Sequence, residues 1–138
     1  MKTEVTLKRL SETFYPGLIC ASAIMVLIGL PGKYFPTVVS FWDWISPDKV
    51  VHLIMFASLS LISLWGYRKI LYNEKPYRKK IFWIIASSTI AYGGLTELLQ
   101  KYLFINRYCS IFDFIANTIG CVIGIIIFIF ICQKKIKK

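Results

Sequence analysis

The stretch IFDFIANTIGCVIGIIIFIFIC, residues 111–132, decides the fold of this chain. Its one charged residue is Asp113, and a basic tail follows it. A helix needs about 20 predominantly apolar residues to cross the hydrocarbon core of a bilayer. The stretch therefore predicts a transmembrane helix.

Three earlier runs have the same character and cover Phe14 to Leu30, Val50 to Trp65 and Ile81 to Leu103. Hydrophobic residues make up 57% of the 138 residues, and the mean hydropathy is +0.61. The first run lacks the small-residue cleavage site of a signal peptide, so it counts as a span. The sequence predicts an all-α membrane protein with one domain, residues 1–138, built as a four-transmembrane-helix bundle.

The net charge of +10 would suggest a nucleic-acid partner in a soluble protein, but the placement of the cations indicates a membrane instead. Thirteen of the 17 lysines and arginines lie in the N-terminal segment, in residues 67–80 or in the tail. Basic residues flanking short loops stay in the cytoplasm. Both termini and the 67–80 loop are therefore predicted to be cytoplasmic, with segments 31–48 and 103–110 outside.

The outer segment before the second span is rich in aromatic residues, which favour the headgroup level of a bilayer. They are Tyr34, Phe35, Phe41, Trp42 and Trp44. We expect this segment to lie in the outer interface, and residues 1–13 to form a short amphipathic helix on the inner one. Ser46, Pro47 and Asp48 suit a helix start, since proline fits the first turn and an acid complements the positive helix end.

Polar residues interrupt the spans although a charge at a helix centre costs about 2.5–3.5 kcal/mol. They are His52, Glu97, Gln100, Asp113 and Asn117. Pairs three or four residues apart share a helix face, as do Asp48 with His52, Glu97 with Gln100, and Asp113 with Asn117. Residues of this kind usually face the interior of a bundle or a wet cavity.

The predicted topology brings these pairs together, because spans two and four begin outside and span three ends there. Arg107, in the third loop, is predicted to lie over the cluster. The candidate acid and base groups are His52, Glu97 and Asp113. The candidate substrate-binding residues are Asp48, Lys49, Gln100, Arg107 and Asn117. The sequence thus predicts an outward-facing polar pocket.

Each element also has a structural interpretation. Glu97 could pair with Arg107 to hold two helix ends, Asn117 could bond one helix to another, and Gly120 with Gly124 forms a GxxxG packing motif. A structural network alone does not need so many ionisable groups, which favours the pocket. The sequence has no tight metal-ligand spacing and no CxxC pair, so we assign no metal, disulfide or cofactor. A divalent cation held by His52 and carboxylates stays open as an alternative.

Motifs between residues 47 and 125 carry a family resemblance. They are Asp48-Lys49-Val-Val-His52-Leu-Ile-Met-Phe56, Glu97-Leu-Leu-Gln100, Arg107, Ser110, and Asp113-Phe-Ile-Ala-Asn117-Thr-Ile-Gly120-Cys-Val-Ile-Gly124. In this pattern the chain resembles the VanZ-like family, named for a protein associated with resistance to the glycopeptide teicoplanin. The resemblance implies a small multi-span protein of the bacterial envelope and leaves its reaction undefined.

The sequence therefore favours a protein of the cytoplasmic membrane whose pocket binds or modifies a lipid-linked or phosphate-bearing envelope substrate, with a link to teicoplanin tolerance. The alternative is a non-catalytic partner or assembly factor whose polar cluster packs helices. Whether a reaction is catalysed stays open. Expected partners are a membrane lipid or lipid-linked precursor and, through Gly120 and Gly124, a second copy of the chain. Four spans without an inverted repeat argue against a monomeric transporter.

Overall fold

Five helices make up the part of the chain that the structure, a computed structural model, describes. That part is the backbone of residues 2–29, 47–73, 75–103 and 111–136, with the side chains of 13–29, 48–73, 77–102 and 111–132. The helices are α1 (Lys2–Gly29), α2 (Pro47–Gly66), α3 (Arg68–Asn73), α4 (Lys75–Leu103) and α5 (Ile111–Ile136). The predicted all-α class is confirmed.

Three of these helices are long and apolar enough to cross a membrane, over Asp48–Gly66, Tyr77–Tyr102 and Ile111–Cys132. They coincide with the second, third and fourth predicted spans. The apolar part of α1, Thr13–Gly29, is shorter. Large apolar side chains such as Trp83 and Phe130 point outward, 75% and 67% exposed, as expected for helices that face lipid.

Helix α2 lies between α1 and α5 and also contacts α4. Glycines make the α2–α5 contact close: a Cβ on Gly120 would meet the Leu53 carbonyl oxygen, and one on Gly124 would meet the Ala57 carbonyl. The Ser60 hydroxyl donates a hydrogen bond to the Cys121 carbonyl at 3.0 Å across the same contact. The GxxxG motif therefore packs against α2 of its own chain.

The segment 67–80 differs from the predicted loop, since α3 and the first turns of α4 are helical. Leu71 explains the difference because it is fully buried beside Leu64 and Phe128, which gives this basic segment an apolar anchor. The Tyr72 hydroxyl donates to Cys132 Sγ at 2.7 Å. Partial burial, followed by this hydrogen bond, raises the pKa of Tyr72 to about 12.

Two further expectations concern the N-terminal half. Residues 1–13 are predicted to form a short amphipathic helix, and in the structure the helix that begins at Lys2 continues to Gly29 as α1. Helix α2 begins at Pro47 with Asp48 in its first turn, as predicted. The aromatic interfacial residues of segment 31–48, together with Arg107, lie outside the described residues.

Candidate functional site

The polar residues of the spans meet where α2 and α5 begin and α4 ends. His52 lies in the second turn of α2, Asn117 in the second turn of α5, and Glu97 near the end of α4. All three side chains are almost fully buried, with exposed fractions of 1–2%. These three residues come from distant parts of the sequence, and their contacts show that they lie together, as the sequence predicts.

Asn117 bridges His52 and Glu97. His52 Nδ1 lies 3.0 Å from Asn117 Oδ1, and Asn117 Nδ2 donates to Glu97 Oε1 at 3.2 Å. Since the amide oxygen can only accept, His52 Nδ1 carries a proton and donates it. His52 Nδ1 is also 3.6 Å from Glu97 Oε1. The bridge fixes the ring orientation, and within the described part of the chain it does not use Nε2, the other ring nitrogen.

Gly93 allows α4 to come this close. A Cβ at Gly93 would lie 3.2 Å from both Asn117 Cβ and Phe56 Cε1, tighter than most packed contacts. At Gly94 the nearest atom to such a Cβ would be Phe114 Cε2, at an ordinary 3.5 Å. Of the two glycines under Glu97, Gly93 is therefore the one that the site requires.

Two more carboxylates lie beside the bridge. One ligand atom each of Asp48, His52 and Asp113 lies within 4.8 Å of the other two. Asp113 is buried and Asp48 is exposed, so this group extends from the interior to the end of the bundle. Asp48 and Asp113 occupy the first turns of α2 and α5, where the partial positive charge of a helix start stabilises an acid.

Lys49 stands at the rim of the group, with its ammonium 5.6 Å from the centre of the Phe112 ring. A flexible cation in this position can reach an anionic group without being buried. Gln100 lies about one turn beyond Glu97 on α4 and is 2% exposed, and its Nε2 has no hydrogen-bond partner among the described residues. The predicted place of Arg107 above the cluster stays a prediction.

An apolar cavity of about 340 Å³ lies between α1, α2 and α4 and was not foreseen from the sequence. Its lining includes Phe14, Leu18, Leu59, Ile85 and Tyr92. Tyr92 closes one end by donating its hydroxyl to the Ala21 carbonyl at 2.7 Å. The signal that could have revealed it is the small pair Gly17 and Ala21, four residues apart on one face of α1, which also line the cavity.

Comparison with known proteins gives one family. No curated protein and no solved structure matches the chain. The family model VanZ-LLP1, described as VanZ/LLP1, matches residues 12–132 and so covers the motif region, the apolar part of α1 and most of α5. The chain belongs to the VanZ/LLP1 family.

Proposed function

We propose that the polar cluster at the shared end of α2, α4 and α5 binds or modifies a lipid-linked or phosphate-bearing substrate of the cell envelope. The coarser setting is firm: three helices suited to a membrane and the VanZ/LLP1 match indicate a membrane protein of a family associated with glycopeptide resistance. The substrate, the side of the membrane and the number of spans belong to the proposal.

Charge placement supports an outward-facing site. Residues 67–80 hold six of the 17 cations. This segment connects the end of α2 to the start of α4, and both of those helix ends lie opposite the cluster. Basic segments of this kind stay in the cytoplasm. With α1 as a fourth span, both termini are cytoplasmic, and His52, Glu97 and Asp113 lie beneath the outer headgroups of the cytoplasmic membrane.

The observation that carries the proposal is the buried bridge from His52 through Asn117 to Glu97 with two aspartates beside it. Ionisable groups are expensive within a membrane and are usually functional there. His52 or Glu97 would act as the base in an enzymatic version. Lys49, with Arg107, would neutralise a phosphate group. Because Asp48 is exposed at the end of the bundle, a substrate can reach the group from there.

The apolar cavity supports a substrate that carries an acyl chain. Tyr92, at one end of the cavity, is five residues from Glu97, or about 7.5 Å along α4. Its ring packs on Phe56, one turn inside His52, with the ring centres 6.1 Å apart. A lipid could therefore place its headgroup at the polar cluster and a chain in the cavity.

The second candidate is a non-catalytic partner or assembly factor. It is favoured by the fact that each hydrogen bond of the bridge joins two different helices: His52 on α2, Asn117 on α5 and Glu97 on α4. Such a network would hold three helix ends in register. On this account, neutralising Glu97 lowers the amount of folded protein but does not change what the protein does at a given level.

One experiment separates the two candidates. Cells producing wild type, His52→Gln or Glu97→Gln at matched protein levels are compared for envelope lipid composition and glycopeptide sensitivity. The substrate proposal predicts that, at equal protein level, neither variant changes envelope lipid composition or glycopeptide sensitivity as the wild type does. Ser87→Ala is the control, since among the described residues this exposed hydroxyl bonds only carbonyls of its own helix. Wild-type lipids and sensitivity in both variants would contradict the proposal.

A further inference from the structure

We infer that Asp48, His52 and Asp113 form a binding site for a divalent transition-metal cation, Zn²⁺ or Mn²⁺. The three residues come from the first two turns of α2 and the first turn of α5, so they are far apart in sequence and together in space. This site does not require the proposed lipid substrate, because all its ligand atoms come from the chain itself.

The spacing of the ligand atoms fits one cation. One atom from each residue lies within 4.8 Å of the others. The centre of an equilateral triangle of that size is about 2.8 Å from each corner, and bonds of about 2.0–2.4 Å require each side chain to move by less than about 1 Å. Asp48 is exposed, so little packing opposes such a movement of its side chain.

The hydrogen bond of His52 matches that of a metal-binding histidine. Metal-binding histidines usually donate the N–H of their second ring nitrogen to an oxygen, which fixes the tautomer and the ring plane. His52 Nδ1 makes that bond to Asn117 Oδ1 at 3.0 Å. Asn117 is in turn held by Glu97 at 3.2 Å. The Nε2 lone pair is the position left for a cation.

Charge favours a cation at this point. Asp113 and Glu97 are buried carboxylates, 7% and 2% exposed, and Asp48 adds a third acid beside them. A bound divalent ion would balance negative charge near the membrane interior, where charged groups are expensive. One imidazole with two carboxylates suits Zn²⁺ or Mn²⁺ better than Ca²⁺ or Mg²⁺, which prefer oxygen ligands alone.

Gln100 supplies an independent observation. It is 2% exposed, shares a helix face with Glu97, and has an Nε2 without a hydrogen-bond partner among the described residues. A buried amide donor normally finds an acceptor. Three protein ligands leave at least one position on the cation for a water or a phosphate oxygen. Gln100 is therefore a buried donor at the same end of the bundle that still needs an acceptor.

The test uses the full chain in detergent micelles, purified without a histidine tag. Mn²⁺ is titrated while free Mn²⁺ is followed by electron paramagnetic resonance, and bound Mn²⁺ is examined for ¹⁴N coupling by spin-echo modulation. His52 is the only histidine of the chain, so imidazole coupling identifies it without any substitution. We expect one bound equivalent with imidazole coupling, and competition by Zn²⁺.

The variants test the carboxylates. Asp113→Asn and Asp48→Asn should each weaken Mn²⁺ binding by at least about tenfold, while Ser60→Ala, two turns further along α2 from His52, should leave it unchanged. A variant counts as folded when its thermal unfolding transition matches that of the wild type. Stoichiometric binding without imidazole coupling, no binding above that of empty micelles, or wild-type affinity in folded Asp113→Asn would each overturn the inference. The lipid proposal would survive any of those results, since it is tested by lipid analysis.

Discussion

Asn117 is the residue that joins the three helices at the site. Its amide has one acceptor and two donors, and it uses the oxygen for His52 and the nitrogen for Glu97. No other uncharged side chain of similar size can make both bonds in this orientation except glutamine, which is one methylene longer. The polar bridge therefore depends on an amide at this position.

Asn117→Leu keeps the branched arrangement of the side-chain heavy atoms but removes both hydrogen bonds. It leaves His52 Nδ1 and Glu97 Oε1 buried without this partner, which costs about 1–3 kcal/mol for each group. We expect the free energy of unfolding, measured by reversible unfolding in micelles, to fall by about 2–4 kcal/mol. Thr118→Val is the matched control, because the Thr118 hydroxyl bonds the Phe114 carbonyl of its own helix and no other atom in the part of the chain that the structure describes. Equal stability of the two variants would refute the bridge.

Sequence patterns predicted much of the site at this scale. Spacings of three and four residues placed Asp48 with His52 and Asp113 with Asn117 on common faces, and alternating topology placed both pairs with Glu97. The patterns could not show that Asn117 makes the bridge, since hydrogen-bond partners depend on side-chain rotamers. The patterns placed Asp48, His52 and Asp113 in one cluster but could not show that their ligand atoms lie within 4.8 Å of one another, because that distance also depends on side-chain rotamers.

At the scale of helices, the contact between α2 and α5 fixes the depth at which the polar residues meet. Gly120 and Gly124 lie against the backbone of α2 around Leu53 and Ala57. In this register His52 lies opposite Asn117. The pair is about one turn closer to the starts of the two helices than the glycine contact is. A change in the glycine contact is therefore expected to disturb the site without touching a polar residue.

Gly120→Ala tests this register. The added methyl group would meet the Leu53 carbonyl and must push α2 away, and overpacking of this kind typically costs about 1–3 kcal/mol. Gly94→Ala is the control, because its methyl group has ordinary contact with Phe114 and alanine favours the helix. Thermal unfolding in micelles should show a loss for Gly120→Ala and little change or a gain for Gly94→Ala. The opposite order would contradict the described α2–α5 contact.

The cavity between α1, α2 and α4 can be tested from its wall. Leu18 lines it and is 47% exposed, so Leu18→Trp fills space without replacing a core residue. Val26 lies two turns further along α1, is 68% exposed and is not part of the lining, which makes Val26→Trp a matched control. We expect less copurified lipid, quantified by mass spectrometry, with Leu18→Trp alone. Equal lipid in both variants would remove the cavity from the proposal.

The elements themselves were predictable to different degrees. Continuous apolar runs located the spans in α2, α4 and α5 because length and composition suffice for a membrane helix. The pattern failed at α3, where basic residues indicated a loop but Leu71 packs into the core. For the cavity, the sequence offered only the small pair Gly17 and Ala21 as a signal, since its size depends on how far α1 stands from α4.

At the scale of the whole molecule, the account requires one orientation in the membrane. In that orientation, the cations flanking α3 and the basic tail lie on the cytoplasmic side of the membrane. The start of α2 and the end of α4 then lie on the outer side. The net charge of +10 therefore matters through its distribution between the two surfaces. The short apolar part of α1 decides whether the N-terminus shares the side of the tail.

Reporter fusions test this orientation. Green fluorescent protein fused after Lys138 should fluoresce, and alkaline phosphatase fused after Leu103 should be active, because the first reporter works in the cytoplasm and the second outside it. Exchanging the two reporters should abolish both signals. Phosphatase activity at the C-terminus would place the polar cluster on the cytoplasmic side and contradict the outward-facing site.

The central claim, that the cluster holds a phosphate-bearing lipid, is tested most directly by native mass spectrometry of the protein released from its own membranes. Lys49→Gln is compared with Lys101→Gln. Each ammonium lies over an aromatic ring, Lys49 at 5.6 Å from the centre of the Phe112 ring and Lys101 at 5.3 Å from that of Tyr102. Of the two lysines, only Lys49 adjoins Asp48 and His52. The account predicts a bound phosphate-bearing lipid in wild type and in Lys101→Gln, with occupancy reduced by about tenfold in Lys49→Gln. Wild-type protein without such a lipid, or full occupancy in Lys49→Gln, would contradict it.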